Sequence, residues 1–515
     1  MNISNPIANW FDDLRGKREY RRYREKEQRK SRIVGQLLSL LNIICALYYL
    51  VWCLRHASWQ YWYVFIPFLL TEVAFFLLYL LWINLLWYKR HHRPEGIEAK
   101  KPFTVDIFIP VCREPLEIVR ETVTAACAID YPHKTVHILD DGEDDGVKRL
   151  AEDLNIGYFR RPTHENSKAG NLNYAFKRTS GELILAIDAD QVADPTFISS
   201  IVGYFELPRI SLVQTAQRFK LPKGDPWGNS DEVFYRAMQS GKDHDNAAIS
   251  CGNGAMYRRR ALEEIGGFSE WNLVEDLHTS MNLHDRGWKS VYHDTPFTTG
   301  TAPAESLSQL KQRWQWAVDS LRIFFWDNPL FRQELSTQQK LQYLHFGYNY
   351  IAFGIFLPIF FLIPIWALLT HQFMLTASVL AYALARLPYA LAYILTNKLM
   401  TDRTHKFKAF QAQASLFAAY FSAVFAALRA RTTIPAYTVT PKVTFLGSFP
   451  DRLYRCLPHL IIILLSFFAM YRGLTTIHDD FWFLVINILW CSWTIVLLWR
   501  FVALSLFHRW IVKWH

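Results

Sequence analysis

The sequence predicts an α/β cytosolic domain, with a mostly parallel sheet and helices on both faces, inserted between transmembrane α-helices. Three observations carry this. Apolar runs long enough to span a bilayer, about 20 residues, occur only before residue 88 and after residue 347. Between them, short β-rich runs alternate with helical ones, the rhythm of a parallel sheet. Acidic clusters follow directly on two of those β-rich runs, where such sheets bind ligands.

The composition agrees. The 515 residues are 51% hydrophobic, 16% aromatic and 20% charged, with 19 tryptophans, which excludes a disordered chain. A mean hydropathy of +0.02 lies between that of an ordinary soluble enzyme and that of a helical transporter. The formal charge of +10 is read as membrane orientation. A nucleic-acid partner is not expected, because the basic residues do not gather into a reading motif. The seven cysteines form no CxxC pair, which argues against a disulfide framework or a zinc site and fits a reducing compartment. No cleavable signal peptide is expected, since the first apolar run follows a polar, basic segment.

The elements follow in order. Residues 1–32 form a basic cytosolic segment, and 33–88 hold two spans, 33–54 and 62–87. The soluble domain covers 100–300, and interface helices follow at 301–340. Two further spans lie within 341–396, at 348–369 and 373–395. An interface helix and a loop occupy 403–445, and the last two spans, 453–471 and 482–506, lie within 453–507. Basic residues at 15–32 and 89–93 place both termini and the soluble domain in the cytoplasm, for a multi-pass protein of the plasma (inner) membrane. The apolar stretch 407–428, flanked by Lys406, Lys408, Arg429 and Arg431, reads as an amphipathic helix at the interface. Read as a seventh span, it would reverse everything after it.

Within the soluble domain, strands are predicted at 105–111, 135–139, 157–160 and 183–187, and helices at 116–128, 147–153 and 169–178. Asp140-Asp141-Gly142 follows the second strand, and Asp188-Ala189-Asp190 follows the fourth. A lone D-x-D is most often a solvated turn. Two acidic clusters after successive buried strands suit a divalent cation held by hard oxygen ligands, where it would support a departing diphosphate. Glu275-Asp276 opens a helix after a Gly266-Gly267 turn. Alone it would be a cap; beside a metal site it becomes a candidate general base. Gln312-Arg313-Trp314-Gln315-Trp316 offers a guanidinium for phosphate and a flat indole for a sugar ring.

Taken in order, Asp140-Asp141-Gly142, Lys168-Ala169-Gly170-Asn171, Asp188-Ala189-Asp190, Glu275-Asp276, and Gln312-Arg313 with Trp316 resemble the processive family-2 glycosyltransferases, the cellulose-synthase-like membrane-integrated polysaccharide synthases. The resemblance covers about residues 100–445. It implies a glycosyltransferase-A-type domain, a UDP-sugar donor, Mg²⁺ (or Mn²⁺), and a growing polysaccharide extruded through the protein's own helices. It implies donor binding by Asp140, Asp141, Lys168, Asp188 and Arg313, and metal binding by Asp188 and Asp190. Asp276, with Glu275, would be catalytic, and Trp316, Gln312 and Cys251 would face the acceptor. Residues 437–442 resemble the family's gating loop, with Thr440 and Lys442 meeting the diphosphate.

The chain departs from the family pattern at three places. Gln315 stands where the family carries Arg, and an amide does not replace a bidentate cation. Either Arg313 or a Lys takes that task, which is the preferred register, or the motif runs Gln309…Arg313-Trp314 with one residue inserted. Val274 replaces a Thr, and Ile249-Ser250-Cys251-Gly252-Asn253 replaces an aromatic acceptor wall. The reaction expected is inverting polymerisation of UDP-glucose into a β-glucan with translocation across the membrane. A polymer of N-acetylglucosamine or mannose, single-sugar transfer to a lipid carrier, and a transporter with a nucleotide-sensing domain are the alternatives. Membrane lipids surround the chain in every case, and a homo-oligomer or an export partner is left open. Regulation by cyclic-di-GMP is not expected from this chain alone.

Overall fold

The computed structural model describes residues 6–88, 99–272, 274–303, 305–401, 404, 407–432, 447–508 and 512, with side chains described from residue 30 onward. The gating-like segment, with Thr440 and Lys442, lies outside the described residues.

Helices α1 (Pro6–Arg55) and α2 (Trp62–Leu86) precede the sheet. The strands are β1 (Val105–Val111), β2 (Lys134–Asp140), β3 (Gly157–Phe159), β4 (Leu183–Ala186), β5 (Val192–Ala193), β6 (Ile210–Lys220), β7 (Ala255–Arg258) and β8 (Lys289–Thr301). Between them lie α3 (Leu116–Cys127), α4 (Asp145–Asp153), α5 (Ser167–Phe176), α6 (Phe197–Ile201), α7 (Gln239–His244), α8 (Arg259–Glu264) and α9 (Glu275–Asp285). After the sheet come α10 (Ser306–Trp326), α11 (Thr337–Ile351), α12 (Leu357–Thr370), α13 (Val379–Met400), α14 (Phe407–Ser415), α15 (Phe417–Arg429), α16 (Phe449–Thr476) and α17 (Phe481–Leu506).

The eight strands form one sheet in the order β3-β2-β1-β4-β7-β6-β8-β5. Strands β1 to β4 pair in parallel. Strand β7 runs antiparallel to both β4 and β6, β5 antiparallel to β8, and β6 parallel to β8. Side chains alternate across the sheet, as a period of two requires. Ile107, Ile109, Leu183 and Leu185 pack on one face with Val119 and Val123 of α3. Phe108, Ile184 and Ala186 pack on the other with Leu172 and Ala175 of α5. Helices therefore cover both faces of the parallel half, and the ends of β2 and β4 carry their acidic loops to a common edge.

The chain divides into two compact units, residues 1–57 with 375–405, and residues 58–374 with 406–515. In the first, α1 and α13 pack together. Asn42 Nδ2 donates to the Tyr389 carbonyl at 2.7 Å, and the Arg386 guanidinium lies over the Tyr49 ring at 4.8 Å. The second unit holds the sheet and an apolar core shared by α10, α12, α15, α16 and α17.

Among the described residues, six helices are long and apolar enough to cross a membrane, and the chain is a multi-pass membrane protein. Two starts differ most from the sequence reading. The fourth span starts at Val379, not residue 373, because the Ser378 side chain accepts from the Ala381 amide and caps the helix there. The third starts at Thr337, where Ser336 and Gln339 form a capping box, and runs to Thr370 through a widened turn at Ala352–Phe356. The stretch read as one interface helix is two, α14 and α15, bent by 49°.

Candidate active site

The loop after β2 is closed on itself. Asp140 is fully buried. Its carboxylate accepts from the Gly142 and Asp144 amides at 2.8 and 3.1 Å, from the Tyr158 hydroxyl at 2.7 Å and from Arg160 at 3.2 Å. Asp141 and Arg161 form a two-pronged pair, Nε to Oδ1 and Nη2 to Oδ2, both at 2.6 Å. Burial and the Asp140 hydrogen bond push the Tyr158 hydroxyl well above its usual range, so it stays a donor to that carboxylate. The pattern Lys168-Ala169-Gly170-Asn171 serves the same loop. A Cβ at Gly170 would collide with the Arg161 side chain and the Glu165 carbonyl. Asn171 Nδ2 donates to the Leu139 carbonyl at 2.8 Å and fixes the end of β2.

The loop after β4 meets the start of α9. Lys168, on the first turn of α5, places its ammonium 2.7 Å from Asp188 Oδ1, 2.8 Å from the Gly252 carbonyl and 3.2 Å from Glu275 Oε1. Burial opposes the Lys168 charge, but Asp188 and Glu275 outweigh it and hold the ammonium well above the usual lysine range. Asp188 is 37% exposed in its side chain, and Asp190 is partly exposed beside it. The Asp188 amide donates to Asn253 Oδ1 at 3.0 Å.

Glu275 is 1% exposed, and its Oε2 has no hydrogen-bond partner among the described residues. Asp276 is partly exposed. Burial first, then the neighbouring Glu275 charge, raises its carboxyl to about 7, against the pull of Lys168 and of the Leu277 amide. A carboxylate poised there can take a proton at neutral pH. Gly252 sits at the junction with φ +71, and a Cβ on it would lie 3.0 Å from Lys168 Nζ and 3.4 Å from Asp276 Oδ2. Next to it, Cys251 accepts from Gln239 Nε2 at 3.4 Å. Burial pushes its thiol far up, which disfavours the thiolate.

The third group is on α10. Arg313 Nη2 donates to both Asp231 oxygens at 2.9 and 3.1 Å, and its guanidinium lies over the Trp316 ring at 4.6 Å. Trp316 is 36% exposed, whereas Trp314 is partly buried against the apolar core. Gln312 is partly buried and Gln315 buried.

Sequence reasoning missed Arg160, Arg161 and Asp231, and it read Asn253 as part of the acceptor wall without its bond to the Asp188 amide. The consecutive arginines follow a three-residue strand and look like a surface pair. The one signal for Asn253 is the pair of flanking glycines, Gly252 and Gly254, both at positive φ. Asp140 also differs from expectation. Its oxygens are used inside the loop, because four donors converge on it, so it holds the loop together rather than facing outward.

As to metal ligands, the described residues hold no group of three or more His, Cys, Asp or Glu suited to a cation. Asp188 and Asp190 still fit a magnesium-type ion, which takes one or two carboxylates and completes its shell with substrate phosphates and water.

The family model "Glycosyl transferase family 2" matches residues 106–266, and "Cellulose synthase" matches 263–400. Cellulose synthase 1 catalytic subunit [UDP-forming] of Komagataeibacter xylinus is 34% identical over 390 residues, 72% of this chain and 52% of that protein. Cellulose synthase catalytic subunit [UDP-forming] of Xanthomonas axonopodis pv. citri is 35% identical over 295 residues, 54% of this chain and 40% of that one. The chain thus spans about half the length of the curated relatives it matches. Among solved structures, a mannosyltransferase from Pyrobaculum calidifontis in complex with GDP-Man and Mn²⁺ superposes with a TM-score of 0.53. That match is at 20% identity over 70% of this chain and 98% of that one, and it shows a shared glycosyltransferase-A-type fold.

Proposed function

The chain belongs to the family-2 glycosyltransferases and is cellulose-synthase-like, and from that premise we propose that it polymerises a UDP-sugar, UDP-glucose first among them, into a β-glucan. The observation that carries the reading is the Lys168–Asp188–Glu275–Asp276 constellation, in which a carboxyl raised to about 7 stands beside a strand-end aspartate. The reaction is an inverting displacement. The acceptor hydroxyl attacks the anomeric carbon, its proton passes to Asp276, and UDP leaves with the electrons of the broken bond.

Lys168 keeps Asp276 ionisable by its charge and orients Asp188. Glu275 raises the basicity of Asp276 by repulsion. Asp188 and Asp190 would hold Mg²⁺ or Mn²⁺, which when bound neutralises charge on the leaving diphosphate. Arg161, by gripping Asp141, fixes the donor-side loop. Asp140 and Asp141 set the nucleoside end, and Arg313, Thr440 and Lys442 serve the diphosphate. Trp316 gives the acceptor ring a face, with Gln312 and Cys251 along the acceptor path. Passage of the product between the membrane helices, and a cytoplasmic position for the soluble domain, belong to the same proposal.

The test is UDP or GDP release by purified protein in nanodiscs with UDP-glucose, UDP-N-acetylglucosamine, UDP-galactose, UDP-glucuronate and GDP-mannose, with Mg²⁺ or Mn²⁺. Metal-dependent release from UDP-glucose, absent in Asp276→Asn, and a product cut by β-glucanases are expected. Release from another donor alone replaces the sugar. No release from any donor overturns the reading.

A further inference from the structure

Asp276 stands in the first turn of α9, and that helix begins without a side-chain cap at Val274. An uncapped start frays unless something else holds its amides. Here the hold comes from one turn of α10. Asp319 Oδ2 accepts from the Val274 amide at 2.9 Å, and the Asp319 carbonyl accepts from Asn272 Nδ2 at 3.2 Å. Three residues on, the same helix face presents Arg322.

Arg322 is 1% exposed. Its Nη1 donates to the Trp271 carbonyl at 2.6 Å and to Asn272 Oδ1 at 3.1 Å. Its Nε donates to the Ala430 carbonyl, just past the end of α15, at 2.9 Å. The guanidinium lies over the Trp271 ring at 4.4 Å. The Trp271 ring in turn lies 4.7 Å from the His278 ring. His278 Nε2 is 2.7 Å from Asp327 Oδ2, and Asp327 Oδ1 accepts from Arg332 Nε at 2.9 Å.

Burying a guanidinium is costly, and an apolar side chain of like volume fills a core as well or better. What an apolar side chain cannot do is tie two carbonyls of separate segments to one rigid plane. We propose that Arg322 is a positioning residue for Asp276, fixing the approach to α9 against the end of α15 through Trp271 and Asn272. The inference rests on Asp276 being the acceptor's base. It makes the placement of the base depend on α15, so a shift of α15 relative to α10 would move the carboxylate.

The test uses the full chain in nanodiscs, comparing Arg322→Met and Arg322→Lys with the unaltered protein. In Arg322→Met, kcat should fall at least tenfold while KM for UDP-glucose stays within twofold, and the acid limb of the kcat/KM profile should move. Arg322→Lys, which keeps one charged donor, should recover part of kcat. Hydrogen exchange supplies a readout independent of turnover. Amides at 274–278 and at 427–430 should lose protection together in Arg322→Lys. Loss at only one segment, or unchanged kcat in folded Arg322→Met, overturns the coupling. If neither variant folds, Arg322 is a structural residue and the proposal fails. If the unaltered protein turns over no donor yet the paired loss of protection is seen, the synthase reading fails and the coupling stands.

Discussion

Lys168 Nζ stands 2.7 Å from Asp188 Oδ1, so one ammonium joins the strand-end aspartate to the start of α9, where it also reaches Glu275. Lys168 is one of the groups that lower the Asp276 carboxyl. In Lys168→Met that restraint is gone, and Asp276 should titrate above 7. The acid limb of kcat/KM should move to higher pH, with at least a tenfold loss of turnover at pH 7, roughly one decade for each 1.36 kcal/mol of lost interaction. A pH–rate profile measured on the variant with intact secondary structure checks this. An unmoved limb would remove Lys168 from the electrostatics of the base.

Asp276→Asn should separate activity from stability. Removing a general base costs about a hundredfold to ten-thousandfold in rate. Stability runs the other way. The folded-state carboxyl is raised above its unfolded value, so the folded protein binds the proton more tightly. Stability from this group is then fully present below the unfolded value near 3.8 and is lost as pH rises to about 7. The Asn variant has no such loss. Its melting temperature should exceed that of the parent at pH 8, with a gain on the order of 4 kcal/mol, and should match it at pH 4. Equal melting temperatures at pH 8 would contradict the raised carboxyl.

Gly252→Ala tests the junction itself. The residue holds φ +71, and its new methyl would meet Lys168 Nζ at 3.0 Å and Glu275 Oε1 at 3.3 Å. The left-handed backbone alone costs roughly 1 kcal/mol or more for a non-glycine residue. The variant should be less stable and should lose turnover through displacement of Lys168. Activity within twofold of the parent would mean that the ammonium can shift without consequence.

Arg161 and Asp141 share two bonds in a nearly buried setting, with side-chain exposures of 4% and 8%. Arg161→Gln leaves a buried carboxylate without its cation, and the loss should be about 3 kcal/mol or more. Arg161→Lys should rescue little, because a point charge cannot span both oxygens. Chemical denaturation of the three proteins ranks them. A neutral Arg161→Gln would place the loop's stability elsewhere.

The strands of the parallel half were legible because they are short apolar runs buried on both faces. Ile107 and Ile109 face one core, Phe108 the other, and such a pattern is local. The acidic clusters were legible for the same reason, as each ends a run that the pattern had already defined. Partners across the fold left no local trace. The Arg161 pair with Asp141 joins residues 20 apart, and Arg313 meets Asp231 across 82 residues, so no spacing rule could link them. The fourth span was misplaced at its start because Phe373 and Met374 are apolar without being helical. The chain there pairs Leu375 with Ala57, and the Ser378 cap sets the real boundary. The break at Leu416 between α14 and α15 has no Gly or Pro to announce it.

The two tryptophans of the α10 motif should behave as opposites. Their spacing of two residues puts them on different sides of a helix. Trp314 packs against the apolar core, while Trp316 is 36% exposed with Arg313 over its face. Truncating a packed tryptophan costs about 3–5 kcal/mol, so Trp314→Ala should lower stability sharply and reduce activity only in proportion to folded protein. Trp316→Ala removes a ring that supports little of the fold. It should leave the melting temperature nearly unchanged and act on the acceptor side, through a higher KM for oligosaccharide primer and shorter product. An exposed aromatic face stacks on a sugar ring through apolar contact, and Trp316→Phe should recover part of that effect. If instead Trp314→Ala is stable and selectively loses primer affinity, the acceptor face belongs to Trp314, and the motif is in register with Gln309 rather than Gln312.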